Sequence, residues 1–195
     1  MHNNELNDRD EAEKEERNST SVIGELISWI LTIVAAVAIA LILNRFVLIN
    51  AEIPSGSMEN TIMTGDKLIG FRLSYLFKEP QRGDIVIFQY PDDETQKYVK
   101  RVIGCPGDTV VIEKGKIYIN GATEPLEEDY LKEDWVVATG PYTFEVPKNS
   151  YFVMGDNRND SWDARYWTNT YVTKDKILGK AIFRYWPINQ VKLLK

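Results

Sequence analysis

Residues 26–43 read LISWILTIVAAVAIALIL, a run without a single charge. A helix that crosses a bilayer needs roughly 20 mainly apolar residues. Val22 and Ile23 before the run, and Phe46-Val47-Leu48-Ile49 after it, supply the extra length. The run is apolar all round, whereas a helix lying on a globular core carries a polar stripe. A cleaved export signal has a shorter apolar core, about 7–15 residues, behind a basic start. Ile49-Asn50-Ala51 loosely resembles a cleavage site and keeps that alternative open. The expectation is a membrane anchor over 22–49. It divides the chain into a tail, 1–21, and a body, 50–195. Trp29, near one end, suits an interfacial position.

The tail begins MHNNELNDRDEAEKEERNST. It has no aromatics and too few aliphatics to bury, so it is expected to stay solvated and disordered. Arg9, Lys14 and Arg17 precede the span and Arg45 alone closely follows it. Lys and Arg concentrate on the cytoplasmic side. The bias predicts a single-pass protein with a cytoplasmic N-terminus and an extracytoplasmic body.

The body has single-domain size and a β-rich pattern. Residues 83–90, 97–104, 108–121, 142–147, 150–156 and 176–187 carry β-branched and aromatic side chains between Gly, Pro, Asp and Asn breaks. Glu113-Lys114-Gly115-Lys116 reads as a hairpin turn. No segment of the body holds a long 3.6-residue period, and no internal repeat is present. The stretch EPLEEDYLKEDW, 124–135, is acidic and reads as a surface excursion. The fold class expected is mainly β with one N-terminal transmembrane helix.

Composition narrows the chemistry. The formal net charge is -6, which argues against nucleic acid as a partner. The one cysteine, Cys105, cannot form an internal disulfide and reads as a packing residue. The one histidine, His2, lies before the anchor. That placement excludes Ser-His-Asp and Cys-His catalysis in the body. It also leaves no His/Cys cluster for zinc. A carboxylate calcium site around Asp156, Asp160 and Asp163 is conceivable, but DNRNDSWD lacks the spacing and glycine of an EF-hand loop. No metal and no organic cofactor is expected.

Without histidine, a serine can be activated by lysine. The lysine must be neutral, and burial in an apolar site lowers its pKa by disfavouring the charged form. In IPSGSM, 53–58, two serines flank Gly56. In YVKRVIG, 98–104, an extended strand places Lys100 on one face with Tyr98 and Val102, and Arg101 on the other. That pattern also fits a solvated edge lysine. The third stretch, MGDNRNDSWDAR, 154–165, packs hydrogen-bonding side chains between apolar strands. Its Gly155-Asp156 pair suits a tight turn. A polar surface loop would look the same.

Taken in order behind an anchor, IPSGSM, RGDIVIF, YVKRVIGCPGD and GDNRNDSWDAR resemble the motifs of bacterial type I signal peptidases. Each motif is weak alone, and four in order are specific. The single span and short body resemble the compact Gram-positive members. The resemblance implies an antiparallel β-domain of the signal-peptidase type and a Ser/Lys endopeptidase that removes signal peptides from exported preproteins. It implies Ser57 as nucleophile and Lys100 as general base, with the Ser55 hydroxyl and the Ser57 N–H as oxyanion hole. Gly56 would let the chain turn between the serines. Ser161 would orient the lysine, and Arg101, Asp156, Asp163 and Arg165 would support the site. Ala164 stands where the family commonly has serine. Substrates would carry small residues one and three positions before the cut, read by Ile53, Met58, Ile62, Tyr98 and Val99. Met58 would also shield the lysine from water. The body would touch the lipid bilayer.

Three other readings compete. A soluble self-cleaving peptidase of repressor type shares the chemistry but not the 26–43 span. A noncatalytic anchored binding module would not require Ser57 and Lys100. Nor would an envelope scaffold that binds wall polymer.

Overall fold

The computed structural model describes residues 23–194. The tail, with His2, Arg9, Lys14 and Arg17, lies outside the described residues. Residues Ile23–Val47 form one helix, α1, long and apolar enough to cross a membrane. Its last turn, Leu43–Val47, widens to a π-helix. The chain divides into two compact units at Arg45 and Phe46.

The second unit is built of strands: β1 (Leu48–Glu52), β2 (Lys67–Phe71), β3 (Ile85–Tyr90), β4 (Asp93–Gly104), β5 (Thr109–Glu113), β6 (Lys116–Ile119), β7 (Tyr142–Glu145), β8 (Ser150–Met154), β9 (Val172–Thr173), β10 (Ile177–Trp186) and β11 (Lys192–Leu193). Among the described residues, eight strands join in the order β1-β2-β10-β3-β4-β8-β9, with β11 on β10. Three more form a smaller sheet, β6-β5-β7. All the pairings are antiparallel.

Every expected strand region contains a strand. The predicted hairpin is there too: Glu113 pairs with Lys116, and Lys114 and Gly115 between them both have positive φ. That is the geometry of the tight two-residue turn that matches strand twist. One boundary differs. Leu48 and Ile49, expected in the anchor, open β1 instead, where they pair with Phe71 and Gly70. Apolarity alone cannot separate the end of a spanning helix from a buried strand, and Ile49 is buried.

Two apolar clusters hold the unit together. The larger lies where β3, β4 and β8 meet the small sheet, around Phe88, Val102, Ile112 and Phe152. The smaller gathers Ile49, Ile53, Met58, Ile62, Leu68 and Ile87. The second matters for function, because Ile53 and Met58 bracket the serine stretch.

β1 ends the main sheet with β2 as its neighbour. β8 joins β4 only from Arg101 onward. The Gln96–Lys100 stretch of β4 and the Ile49–Ser57 stretch therefore face a shared groove of about 620 Å³.

Candidate active site

Ser57 sits in a 3-10 turn, Gly56–Met58, directly after β1. Ser55 precedes the turn in extended conformation, and its hydroxyl makes no capping bond. That hydroxyl lies 3.4 Å from Ser57 Oγ. The turn is tied to the 155–160 segment: Asn157 N–H donates to the Ser57 carbonyl at 3.1 Å, and Asn157 Nδ2 donates to the Gly56 carbonyl at 3.0 Å. Gly56 has no left-handed φ, contrary to the turn role expected of it. A Cβ there would meet only the carboxylate end of the Glu59 side chain, at 2.9 Å. The turn closes with ordinary backbone angles, because 3-10 geometry suits L-residues.

Lys100 enters the groove from β4, where it pairs with the fully buried Val86. Its exposure is 3%. Lys100 Nζ and Ser57 Oγ are hydrogen-bonded at 2.5 Å. Among the described residues no carboxylate forms an ion pair with it. Burial lowers its pKa to about 8; Asp163 and Asp156 oppose the shift, and Arg165 adds to it. The reading as a solvated edge lysine is thereby overturned. A neutral amine next to a hydroxyl can take its proton, and this is the arrangement that serine activation without histidine requires.

Arg101 points to the opposite face of β4, as alternation demands. It forks onto Asp156, Nε to Oδ1 at 2.9 Å and Nη2 to Oδ2 at 2.7 Å. Thr61 also donates to Asp156, which ties the segment after Ser57 to the same carboxylate. Thr61 was not singled out from the sequence, since a lone threonine carries no signal. Asp163 and Arg165 form a second buried pair at 2.8 Å. Asp163 Oδ2 accepts the Gly155 N–H at 3.0 Å. With Asp156 and Asp163 each bound to an arginine, the conceived calcium site lacks its ligands.

Gly155 has a reason other than the expected tight turn. Its φ is not left-handed. A Cβ on it would stand 2.2 Å from Ser161 Oγ and 2.3 Å from the Ser57 carbonyl oxygen. Close approach, not turn geometry, excludes a side chain.

Ser161 is buried beside this corner, but the expected hydrogen bond to Lys100 is not formed. Its Oγ has no hydrogen-bond partner among the described residues. The bond that Lys100 Nζ does make is to Ser57 Oγ.

Of the expected pocket residues, Ile53, Met58, Tyr98 and Val99 line the groove. Ile62 does not. It is fully buried in the smaller core cluster, beneath Met58. Its place five residues past Ser57 could not reveal this, because the chain turns under itself there: Ile62 N–H bonds the Met58 carbonyl at 2.8 Å. Ala51, Ile87 and Trp162 line the groove instead. Alternation along β1 brings Ala51 to the face that Ile49 and Ile53 share, a signal readable once β1 is known to be a strand.

The 124–135 excursion, expected on the surface, holds no helix or strand and is not all solvated. The Glu128 side chain is 6% exposed and Trp135 is 7% exposed.

The chain is similar to known proteins over most of its length. Residues 26–186 match the family described as signal peptidase, peptidase S26. The chain is 40% identical over 168 residues to probable signal peptidase I-2 of Synechocystis sp., an alignment that covers 84% of this chain and 74% of that protein. It is 35% identical over 185 residues to signal peptidase I of Bacillus licheniformis, covering 91% and 97%. It is 33% identical over 184 residues to signal peptidase IB of Staphylococcus aureus, covering 86% and 93%.

Proposed function

The chain belongs to the signal peptidase, peptidase S26, family, and we propose that Ser57 and Lys100 are the dyad with which it cuts. It is a serine endopeptidase that removes N-terminal signal peptides from preproteins. The observation that carries the residue assignment is the 2.5 Å contact between Lys100 Nζ and Ser57 Oγ, made by a buried lysine whose pKa is pushed down to about 8.

The steps follow from this geometry. Neutral Lys100 accepts the Ser57 proton as Oγ attacks the carbonyl carbon of the scissile bond. Negative charge then develops on the carbonyl oxygen. The Ser55 hydroxyl, uncommitted to capping, and the Ser57 N–H are the donors assigned to it. One preplaced donor of this kind contributes roughly 3 kcal/mol to the transition state. The ammonium form of Lys100 returns the proton to the leaving amine. Water then attacks the acyl-enzyme, with Lys100 again as base. An ammonium has three N–H groups, and we assign Ser161 to receive one of them in the charged form. Arg101–Asp156 and Asp163–Arg165 keep the two segments in register.

The substrate is an extended preprotein segment laid in the groove between β1 and β4. Two strand edges border that groove, which suits recognition by strand addition. Ile53, Met58, Tyr98 and Val99 leave narrow apolar room, so small side chains are taken one and three residues before the cut. Helix α1 anchors the chain in the cell membrane. The Lys/Arg bias puts the tail in the cytoplasm and the β-body outside.

The test is cleavage of a purified preprotein by the full-length chain in detergent micelles, with Ser57→Ala in parallel. Cleavage by the first and none by the second is expected. Equal rates in the two would overturn the assignment of Ser57.

A further inference from the structure

The segment between β6 and β7 contacts two of the stretches that make the site and the residue that follows the third. Lys132 Nζ reaches Glu59 Oε2 at 2.9 Å, two residues past Ser57. The Tyr130 ring lies against the Arg101 guanidinium, 3.9 Å from Cζ to the ring centroid, one residue past Lys100. Glu128 takes both terminal nitrogens of Arg158, Nη1 at 3.1 Å and Nη2 at 2.5 Å. Tyr130 OH donates to the same carboxylate at 2.7 Å. Farther along, the Val136 and Val137 N–H groups donate to Asn159 Oδ1 at 2.9 and 3.1 Å.

These contacts continue inward. Arg158 Nε donates to the Gly155 carbonyl at 2.9 Å, and Gly155 is packed against Ser57. Asn157, next to Arg158, holds the Ser57 and Gly56 carbonyls. A path thus runs from Glu128 to the Ser57 turn through hydrogen bonds at Arg158 and Asn157 and the peptide link between those two residues. Tyr130, meanwhile, backs the residue next to the base.

The pair at the head of this path is buried, with side-chain exposures of 6% for Glu128 and 1% for Arg158. A buried ion pair is a poor device for stability, because desolvation offsets most of its attraction, and well-packed apolar residues often serve as well. Its fork geometry does fix the relative position of two segments. Leu126 and Trp135 already pack the same segment onto the larger core, so anchoring it does not require Glu128 or Tyr130.

We infer that the strap 126–137 is a positioning element for the dyad, with Glu128 and Tyr130 as positioning residues that hold Ser57 against Lys100. Neither touches the groove. Their effect belongs in kcat and not in substrate affinity. The inference rests on the dyad reading above.

The test uses the full-length chain in detergent micelles with a purified preprotein, measuring kcat, KM and the thermal midpoint. Glu128→Gln and Tyr130→Leu are expected to lower kcat roughly 10- to 100-fold, the scale of small misplacements of reacting groups, with KM within about twofold. Tyr130→Phe keeps the ring on Arg101 and loses only the hydroxyl's bonds, the one donated to Glu128 and the long one accepted from Arg158 Nη2. It should fall between Tyr130→Leu and the unsubstituted chain. Unchanged kcat in Glu128→Gln and Tyr130→Leu overturns the proposal, whatever happens to the melting point. So does a rise in KM at constant kcat, which would assign the strap to substrate binding. If those two variants do not fold, Tyr130→Phe decides. A threefold or larger fall in kcat at constant KM supports the role, and an unchanged kcat ends it. Failure of the unsubstituted chain to cleave, or cleavage by Ser57→Ala, sinks the dyad reading, and the strap's role with it.

Discussion

Lys100 Nζ lies 2.5 Å from Ser57 Oγ, although the two residues are 43 positions apart. The antiparallel sheet brings β4 to the turn that follows β1, and the smaller apolar cluster closes over the contact.

The pH dependence of turnover reports on this pair. Lys100 must be neutral to accept the Ser57 proton, and burial holds its pKa near 8. The value of kcat/KM should therefore rise with pH through a midpoint near 8, since this profile reports the base of the free enzyme. Lys100→Arg should be inactive at every pH, because a guanidinium does not lose its proton. A midpoint near the ordinary lysine value of about 10.4 would contradict a buried base.

The same burial has a cost in stability. The folded chain binds the Lys100 proton less tightly, with a pKa of about 8, than the unfolded chain, near 10.4. The unfolded state is thus favoured in full below pH 8, and the penalty is relieved as pH rises from 8 toward 10.4. Its size is roughly 3 kcal/mol. Lys100→Met should raise the thermal midpoint at pH 7, and the gain should shrink by pH 10. Melting curves of the full chain at the two pH values check the sign. A lower midpoint at pH 7 would show that the lysine is not strained.

Ser55→Ala removes the hydroxyl proposed as an oxyanion donor, which makes no capping bond and approaches Ser57 Oγ only at 3.4 Å. The expected loss is about 10²- to 10³-fold in kcat, with a small change in KM. Steady-state kinetics on one preprotein suffices. A variant as fast as the original would remove Ser55 from the mechanism.

Gly155→Ala puts a methyl group where Ser161 Oγ and the Ser57 carbonyl already stand, 2.2 and 2.3 Å away. The serine side chain is short and the carbonyl is backbone, so the Ser57 turn must move. A loss of about 100-fold in kcat is expected, with the sheet intact by circular dichroism. Ser161→Ala in the same chain should not restore it, because the contact with the Ser57 carbonyl remains. Full restoration by that second change would place the whole effect at Ser161.

Much of this was legible from local signals. The apolar run, the alternation along 98–102 and the 113–116 turn are each set by residues within a few positions of one another. Other features were hidden for identifiable reasons. Leu48 and Ile49 read as anchor because a buried strand and a spanning helix are equally apolar. Ile62 read as pocket because its contact lies under the turn, out of sight of spacing. Gly56 and Gly155 read as turn glycines because sequence does not distinguish a left-handed φ from a close approach. Glu128 read as solvated because acidic composition is a statement about averages, and its arginine comes from 30 residues away.

By itself, the sequence determined the kind of chemistry open to this chain. It has one histidine, placed before the apolar run, so a nucleophilic serine in the body would need a lysine, and the resemblance carried by four short motifs pointed to Ser57 and Lys100. Only the tertiary structure shows that lysine buried and against Ser57, as the proposed role requires. Neutrality depends on desolvation, and desolvation depends on side chains brought from β3 and the Ser57 turn around a residue on β4. The same holds for the strap: contacts made at 3 Å between distant segments are set by packing, which no local pattern records.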